Sequence, residues 1–206
     1  MATAIQCMPG YMVIDNFCHD PDAVRQSALA VGFGKWVPNQ GVAGPQYFDG
    51  MCFWGDHSTL LRHLALVCGQ PIYPKGMFFR VTNEDTEKAR VHSDREDGEY
   101  TAIVYLSKHD PDESGTAFYR HRASGSIILP DSYTNLKAKD PEGFAKLEQE
   151  QIDGDPAVWE QIQYVGGEYN RCLIFDARLF HSRSPLYGIG STAQDGRMVW
   201  VAHFNL

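Results

Sequence analysis

Beyond Gly76 the chain becomes a succession of short runs rich in β-branched and aromatic residues: MFFRVTN, TAIVYLS, TAFYRH, RCLIFDA and RMVWVAHFNL. Turn-forming residues separate them. Side chains of this kind suit a pleated, half-buried surface, and runs this short favour strands over helices. A chain that strings several such strands together buries them as a sandwich or a barrel. The 19 Gly and 11 Pro among 206 residues supply the turns that many short strands need.

The first 75 residues read differently. YMVIDNF (11–17) is a short strand. DPDAVRQSALAVGFG opens with a helix start: Asp20 as N-cap, Pro21 at the first helical position and Asp22 in the first turn, with Gly32 or Gly34 to end it. A second amphipathic helix spans roughly 58–68, stopped by Gly69 and Pro71. The expected fold class is therefore mainly β with flanking helices (α+β), in a single domain over residues 1–206. Residues 1–75 contribute a strand and supporting helices, and 76–206 the β core. A polar interval at 124–170 carries two further helix starts, Asp140-Pro141 and Asp155-Pro156. It reads as an ordered helical insertion placed to act as a lid, too short to hold a core of its own.

A net charge of −8 argues against nucleic acid or an anionic membrane as partner. The five cysteines (7, 18, 52, 68 and 172) form no C-x-x-C pair and are irregularly spaced. That pattern fits a reducing cytoplasm better than a disulfide framework. The N-terminal stretch lacks the basic region and apolar core of a signal peptide, and no apolar run approaches a membrane span.

The segment ARVHSDREDGEYTAIVYLS places His92 and Asp94 two positions apart, ahead of an apolar run. Residues i and i+2 of an extended chain point the same way, so both side chains can reach one metal ion. A third ligand is expected from RCLIFDARLFHSRSP, where His181 closes an apolar segment that reads as a strand. Two histidines and one carboxylate on one face of an octahedron leave three positions open, the arrangement of non-haem iron oxygenases. In DGRMVWVAHF, Arg197 stands at the start of a strongly apolar strand. Burying it without an anion costs several kcal/mol by order of magnitude, so it is a candidate to grip a carboxylate bidentately. Arg183 is the rival for that role.

The order H-x-D, a strand ending YL-S, a G-T-x-F strand, a distal histidine and an arginine in the C-terminal strand resembles the Fe(II)- and 2-oxoglutarate-dependent dioxygenases. Within them it is most similar to the prolyl-4-hydroxylase-like branch, and also to a small bacterial family of uncharacterised proteins of this type. The resemblance covers roughly 76–206. It implies a double-stranded β-helix (a jelly roll, cupin-like), Fe(II) held by His92, Asp94 and His181, and the far carboxylate of 2-oxoglutarate held by Arg197. It implies that Tyr105 helps bind that co-substrate, with Thr101 on the same strand face. SGTAFYRH would lie opposite the iron, which puts Tyr119, Arg120 and His121 forward as substrate contacts. Two features depart from the pattern. His181 and Arg197 lie 16 positions apart, more than the family's usual interval, and the tyrosine expected upstream of the H-x-D is missing, with Thr82 or Asn83 as stand-ins.

The expected activity is oxygenation of a C–H bond in a small molecule, amino acid or peptide residue, using O2 and releasing succinate and CO2. Two rivals are a cupin-type metal dioxygenase that does not use 2-oxoglutarate, and a jelly-roll binding protein that keeps a metal without catalysis. His109 and His203 read as structural, and Trp200 as packing.

Overall fold

The computed structural model of the protein describes residues 4–8, 10–31, 34–35, 49–52, 55–82, 91–184 and 189–206. The elements run β1 (Ala4–Met8), β2 (Tyr11–Ile14), α1 (Pro21–Val31), β3 (Gly34–Lys35), β4 (Asp49–Cys52), α2 (His57–Cys68), β5 (Tyr73–Thr82), β6 (Tyr100–Tyr105), β7 (Gly115–His121), α3 (Tyr133–Lys139), α4 (Pro141–Asp153), β8 (Trp159–Val165), β9 (Cys172–Asp176), β10 (His181–Ser184) and β11 (Arg197–Asn205). The strands form an 8-stranded sheet, ordered β1-β2-β9-β6-β11-β5-β4-β3, and a 3-stranded sheet, ordered β10-β7-β8. Every strand pair among the described residues is antiparallel. From β5 onward the chain alternates between the sheets: β6 in the large one, β7 and β8 in the small, β9 in the large, β10 in the small and β11 in the large.

Strand alternation sorts the core into layers. On β11, Met198, Trp200, Ala202 and Phe204 face outward and join Val24 and Ala28 of α1 and Leu60 and Leu64 of α2 in one apolar cluster. The Trp200 indole N–H donates to Nδ1 of His57 at 2.9 Å, which locks α2 to the sheet. Val199 and Val201 point the other way. They meet Ile103, Tyr105, Leu173 and Phe175 of the large sheet and Phe118 and Val165 of the small one. The far face of the small sheet buries Ala117, Tyr119 and Trp159 with Phe180, and Leu136 of α3 and Leu147 of α4 pack on it.

The helix ends follow their sequence signals. Asp20 accepts from Ala23 N–H at 2.9 Å, Asp56 from Thr59 N–H at 3.0 Å and Asp140 from Gly143 N–H at 2.9 Å. Gly69 and Gly154 end α2 and α4 in the left-handed conformation. The helix expected at Asp155-Pro156 is not there. Asp155 caps a single turn through Ala157 N–H, and the chain then enters β8. Trp159, Ile162 and Val165 are β-formers, and the run pairs with β7 from Thr116 to His121, so tertiary pairing overrides the cap. The helices of the 124–170 interval are thus α3 and α4 alone. No helix among the described residues is long and apolar enough to cross a membrane.

Candidate metal centre

His92 and His181 sit opposite each other on neighbouring segments. Each backbone N–H donates to the other's carbonyl, at 2.9 and 2.8 Å. Asp94 is fixed in the same way: its N–H donates to the Ala177 carbonyl at 2.8 Å, the Ser93 hydroxyl donates to that carbonyl at 2.9 Å, and a turn from Asp94 to Asp97 follows. The two ligand-bearing segments are therefore stitched together by main chain before any side chain is considered. His181 was expected to close a strand; it opens β10, after a turn that follows β9.

The side chains converge. His92 Nε2 lies 3.4 Å from Asp94 Oδ1, and His181 Nε2 lies 3.3 Å from Asp94 Oδ2. The three donor atoms lie within 4.8 Å of one another. A divalent ion about 2.1 Å from each donor would set neighbouring donors about 3 Å apart, so the trio needs little adjustment to close on one ion. The His181 Nδ1–H donates to the Leu179 carbonyl at 3.0 Å, which turns Nε2 to the centre. Asp94 is 7% and His181 3% exposed. Burial alone would push the Asp94 carboxyl up, but His181 and His203 beside it hold it well below its ordinary 3.8. Burial opposes charge on His181 as well, and Asp94 outweighs it, raising that imidazole above 6.5.

A second group lies on the inner faces. Arg197, 4% exposed, donates through Nε to the Ser114 carbonyl at 2.7 Å and through Nη2 to the Gly115 carbonyl at 3.2 Å. A side chain at Gly115 would collide with the Val165 carbonyl and the Tyr164 ring, so only glycine brings its carbonyl to Arg197. The guanidinium lies 5.5 Å from the Tyr105 ring centroid, and the Tyr105 hydroxyl donates to Thr116 at 2.8 Å. Burial raises the Tyr105 phenol to about 12, so it serves as a neutral donor. Thr82 is the register partner of Arg197 on β5. It is 1% exposed, and its hydroxyl is buried without a hydrogen-bond partner. Such an orphan costs about 1–3 kcal/mol, and a polar ligand lying between the sheets beside Arg197 would remove that cost. Arg183, the rival, faces the same interior, two residues on from His181 and opposite Thr116.

Not every expected site residue joins these groups. Thr101 sits against Asp94, to which its hydroxyl donates at 2.8 Å, rather than with Tyr105 and Arg197. Tyr119 projects from the opposite face of β7 to Phe118, into the cluster under α3 and α4, because successive strand residues alternate. His121 pairs with Glu150 at 3.2 Å, and its ring lies tilted against Trp159 at 5.0 Å between centroids. It lines a cavity of about 450 Å³ between the small sheet and α4, together with Phe144, Leu147 and Phe180. Arg120 makes an exposed ion pair with Glu160 at 3.0 Å. The three substrate candidates are thus not gathered at the metal centre. Asn83 and the other residues just before Val91 lie outside the described residues.

His203 is the residue that sequence reasoning missed. Its Nδ1 lies 3.1 Å from the Thr101 hydroxyl oxygen and 3.8 Å from Asp94 Oδ2. The signal was present: 197, 199, 201 and 203 share one face of a strand.

No curated protein matches the chain. AviO1 from Streptomyces viridochromogenes Tue57 superposes with a TM-score of 0.52 at 14% identity, over 96% of this chain and 90% of that one. EvdMO1 gives 0.55 at 15% identity over 96% of this chain, which spans only 47% of EvdMO1. HygX from Streptomyces hygroscopicus, solved with nickel and 2-oxoglutarate bound, gives 0.52 at 15% identity, over 95% of this chain and 82% of HygX. At these identities the likeness is one of fold. The model of a family described as a family of unknown function (DUF6445) matches residues 75–199, a stretch that takes in His92, Asp94, Tyr105, His181 and Arg197, and the chain belongs to that family.

Proposed function

We propose that the protein is an Fe(II)- and 2-oxoglutarate-dependent oxygenase built on a double-stranded β-helix. The alternation of strands between the two sheets from β5 to β11 supports the fold. The observation that carries the function is the pairing of two sites on the inner faces: a His92–Asp94–His181 cluster, and a buried Arg197 flanked by the orphaned Thr82 hydroxyl. In register, His181 opposes Phe118, and Thr116, joined to Arg197 through Tyr105, stands two residues along. That is about 6.5 Å of strand between the positions opposite His181 and Arg183.

His92, Asp94 and His181 would hold the metal, and Arg197, Thr82 and Tyr105 the far carboxylate of 2-oxoglutarate. Fe(II) with this co-substrate and O2 would supply the oxidising power for attack on a C–H bond, with succinate and CO2 released. The chain's own part is to orient and to exclude water. The His181–Leu179 bond aims one imidazole, and Phe118 and Phe175 pack around its ring, at 6.5 and 4.6 Å between centroids. Tyr105 below Arg197 supports placement near the prolyl-4-hydroxylase-like branch. A small molecule or a peptide residue is the proposed substrate class, without nucleic acid or membrane. Free Cys18, Cys68 and Cys172 support a reducing, cytoplasmic setting.

The test is succinate formation from 2-oxoglutarate by purified protein with Fe(II) and O2. Turnover that needs both, and is lost in Asp94→Ala, supports the proposal. Iron binding and O2 uptake without succinate would favour the cupin-type dioxygenase, and metal binding without O2 uptake the binding protein.

A further inference from the structure

The two oxygens of Asp94 are treated differently. Oδ1 faces His92 alone among the metal-centre histidines, at 3.4 Å. Oδ2 faces His181 at 3.3 Å and also takes the Thr101 hydroxyl at 2.8 Å. Thr101 in turn lies 3.1 Å from Nδ1 of His203. Counting hydrogens leaves one arrangement. A metal-binding carboxylate carries no proton, so Asp94 only accepts. Threonine has a single hydroxyl proton, and that proton goes to Asp94. The remaining contact then requires His203 to donate, so His203 carries its proton on Nδ1.

We propose that His203 and Thr101 form a two-link relay, from imidazole N–H to hydroxyl to carboxylate, that holds Asp94 to a single-oxygen grip on a divalent metal. The relay rests on the metal-centre reading above. It engages Oδ2 and leaves Oδ1 for the ion. A carboxylate that swung to bind through both oxygens would fill a coordination position that the co-substrates need. The relay is rigid by construction. Thr101 and His203 are register partners on β6 and β11, interior strands of the large sheet. Both side chains are buried, and the Phe78 ring lies 6.0 Å from the His203 ring. Both are positioning residues, since they act on the metal only through Asp94.

The test is Co(II) binding to metal-free protein, followed by visible absorption, in four variants. Thr101→Val keeps the shape and deletes the hydroxyl. Thr101→Ser restores a hydroxyl. His203→Leu deletes the donor, and His203→Asn supplies an amide N–H near the place of Nδ1–H. Outer-shell partners typically contribute 10–100-fold in metal affinity, so Thr101→Val and His203→Leu are expected to bind Co(II) at least about 10-fold more weakly with an altered band, and the Ser and Asn variants within about 3-fold of the parent. If Thr101→Val does not fold, the His203 pair decides the matter. Parent-like Co(II) affinity and band in Thr101→Val or His203→Leu would overturn the relay and leave the metal centre standing. Failure of both Ser and Asn to restore binding would overturn it too. A parent protein that binds no Co(II) would remove the metal centre itself, and the relay with it.

Discussion

Replacing Arg197 with methionine tests the co-substrate site. Methionine fills comparable space and keeps the apolar stem, so the loss is the guanidinium. Truncating one partner of a buried, hydrogen-bonded charge pair costs about 2–5 kcal/mol. At 1.4 kcal/mol per decade, the 2-oxoglutarate requirement should rise by about 30- to 4,000-fold. The low exposure of Arg197, 4%, argues for the upper half of that range because water cannot replace the lost donors. The Ser114 and Gly115 carbonyls also lose their donors, so some stability goes as well, about 1–3 kcal/mol for each carbonyl left dry. The assay is the 2-oxoglutarate concentration for half-maximal succinate formation, run beside thermal unfolding and Co(II) affinity. A variant that folds, binds Co(II) as the parent does and keeps the parent's 2-oxoglutarate requirement would refute the assignment. If Arg183→Met shows the effect instead, the carboxylate is held from β10.

Four further outcomes are expected. In metal-free protein the raised His181 stabilises fully below its ordinary 6.5 and loses that contribution as pH rises through its folded value, while the depressed Asp94 stabilises above 3.8 and loses its contribution as pH falls through its folded value; as pH rises above 6.5, unfolding temperature should thus fall more steeply in the parent than in His181→Asn. Metal affinity should run the other way and rise with pH through that range, since a ligating imidazole must be neutral, and Co(II) titrations at several pH values check this. Phe118→Ala should cost about 3–5 kcal/mol in urea unfolding, because Phe118 is buried and stacks on Tyr11 at 5.1 Å. Tyr119→Phe should leave succinate formation within about 3-fold, since Tyr119 points away from the metal centre and a lone hydroxyl contributes little there; a large loss would bring Tyr119 back to the site.

The sequence announced what alternation and spacing can announce. The helix starts at Asp20 and Asp140 were legible because a cap is a local interaction. H-x-D alone is common by chance; the gathering of His92, Asp94 and His181 was legible because a distal histidine and a C-terminal arginine follow it in order, each in a strand context. What failed was non-local. Asp155-Pro156 carries a valid cap, yet β7 captures the next residues as β8, and no local rule weighs that pairing. Tyr119 and His121 were assigned to the site by resemblance, without asking which face of β7 each occupies; Phe118 holds the inner position. Thr101 was placed with the co-substrate because it shares a face with Tyr105, but a strand face is long, and Thr101 lies at the Asp94 end. His203 looked structural because only cross-strand register puts it beside Thr101.

The proposed chemistry requires one metal and one 2-oxoglutarate to meet at the His92–Asp94–His181 cluster. Its most direct test is an anaerobic titration of metal-free protein with Fe(II) and then 2-oxoglutarate, followed by visible absorption. A weak charge-transfer band that requires both additions, and is absent in His181→Ala, is the predicted result. Iron binding with no band on adding 2-oxoglutarate, or a band that survives in His181→Ala, would contradict it.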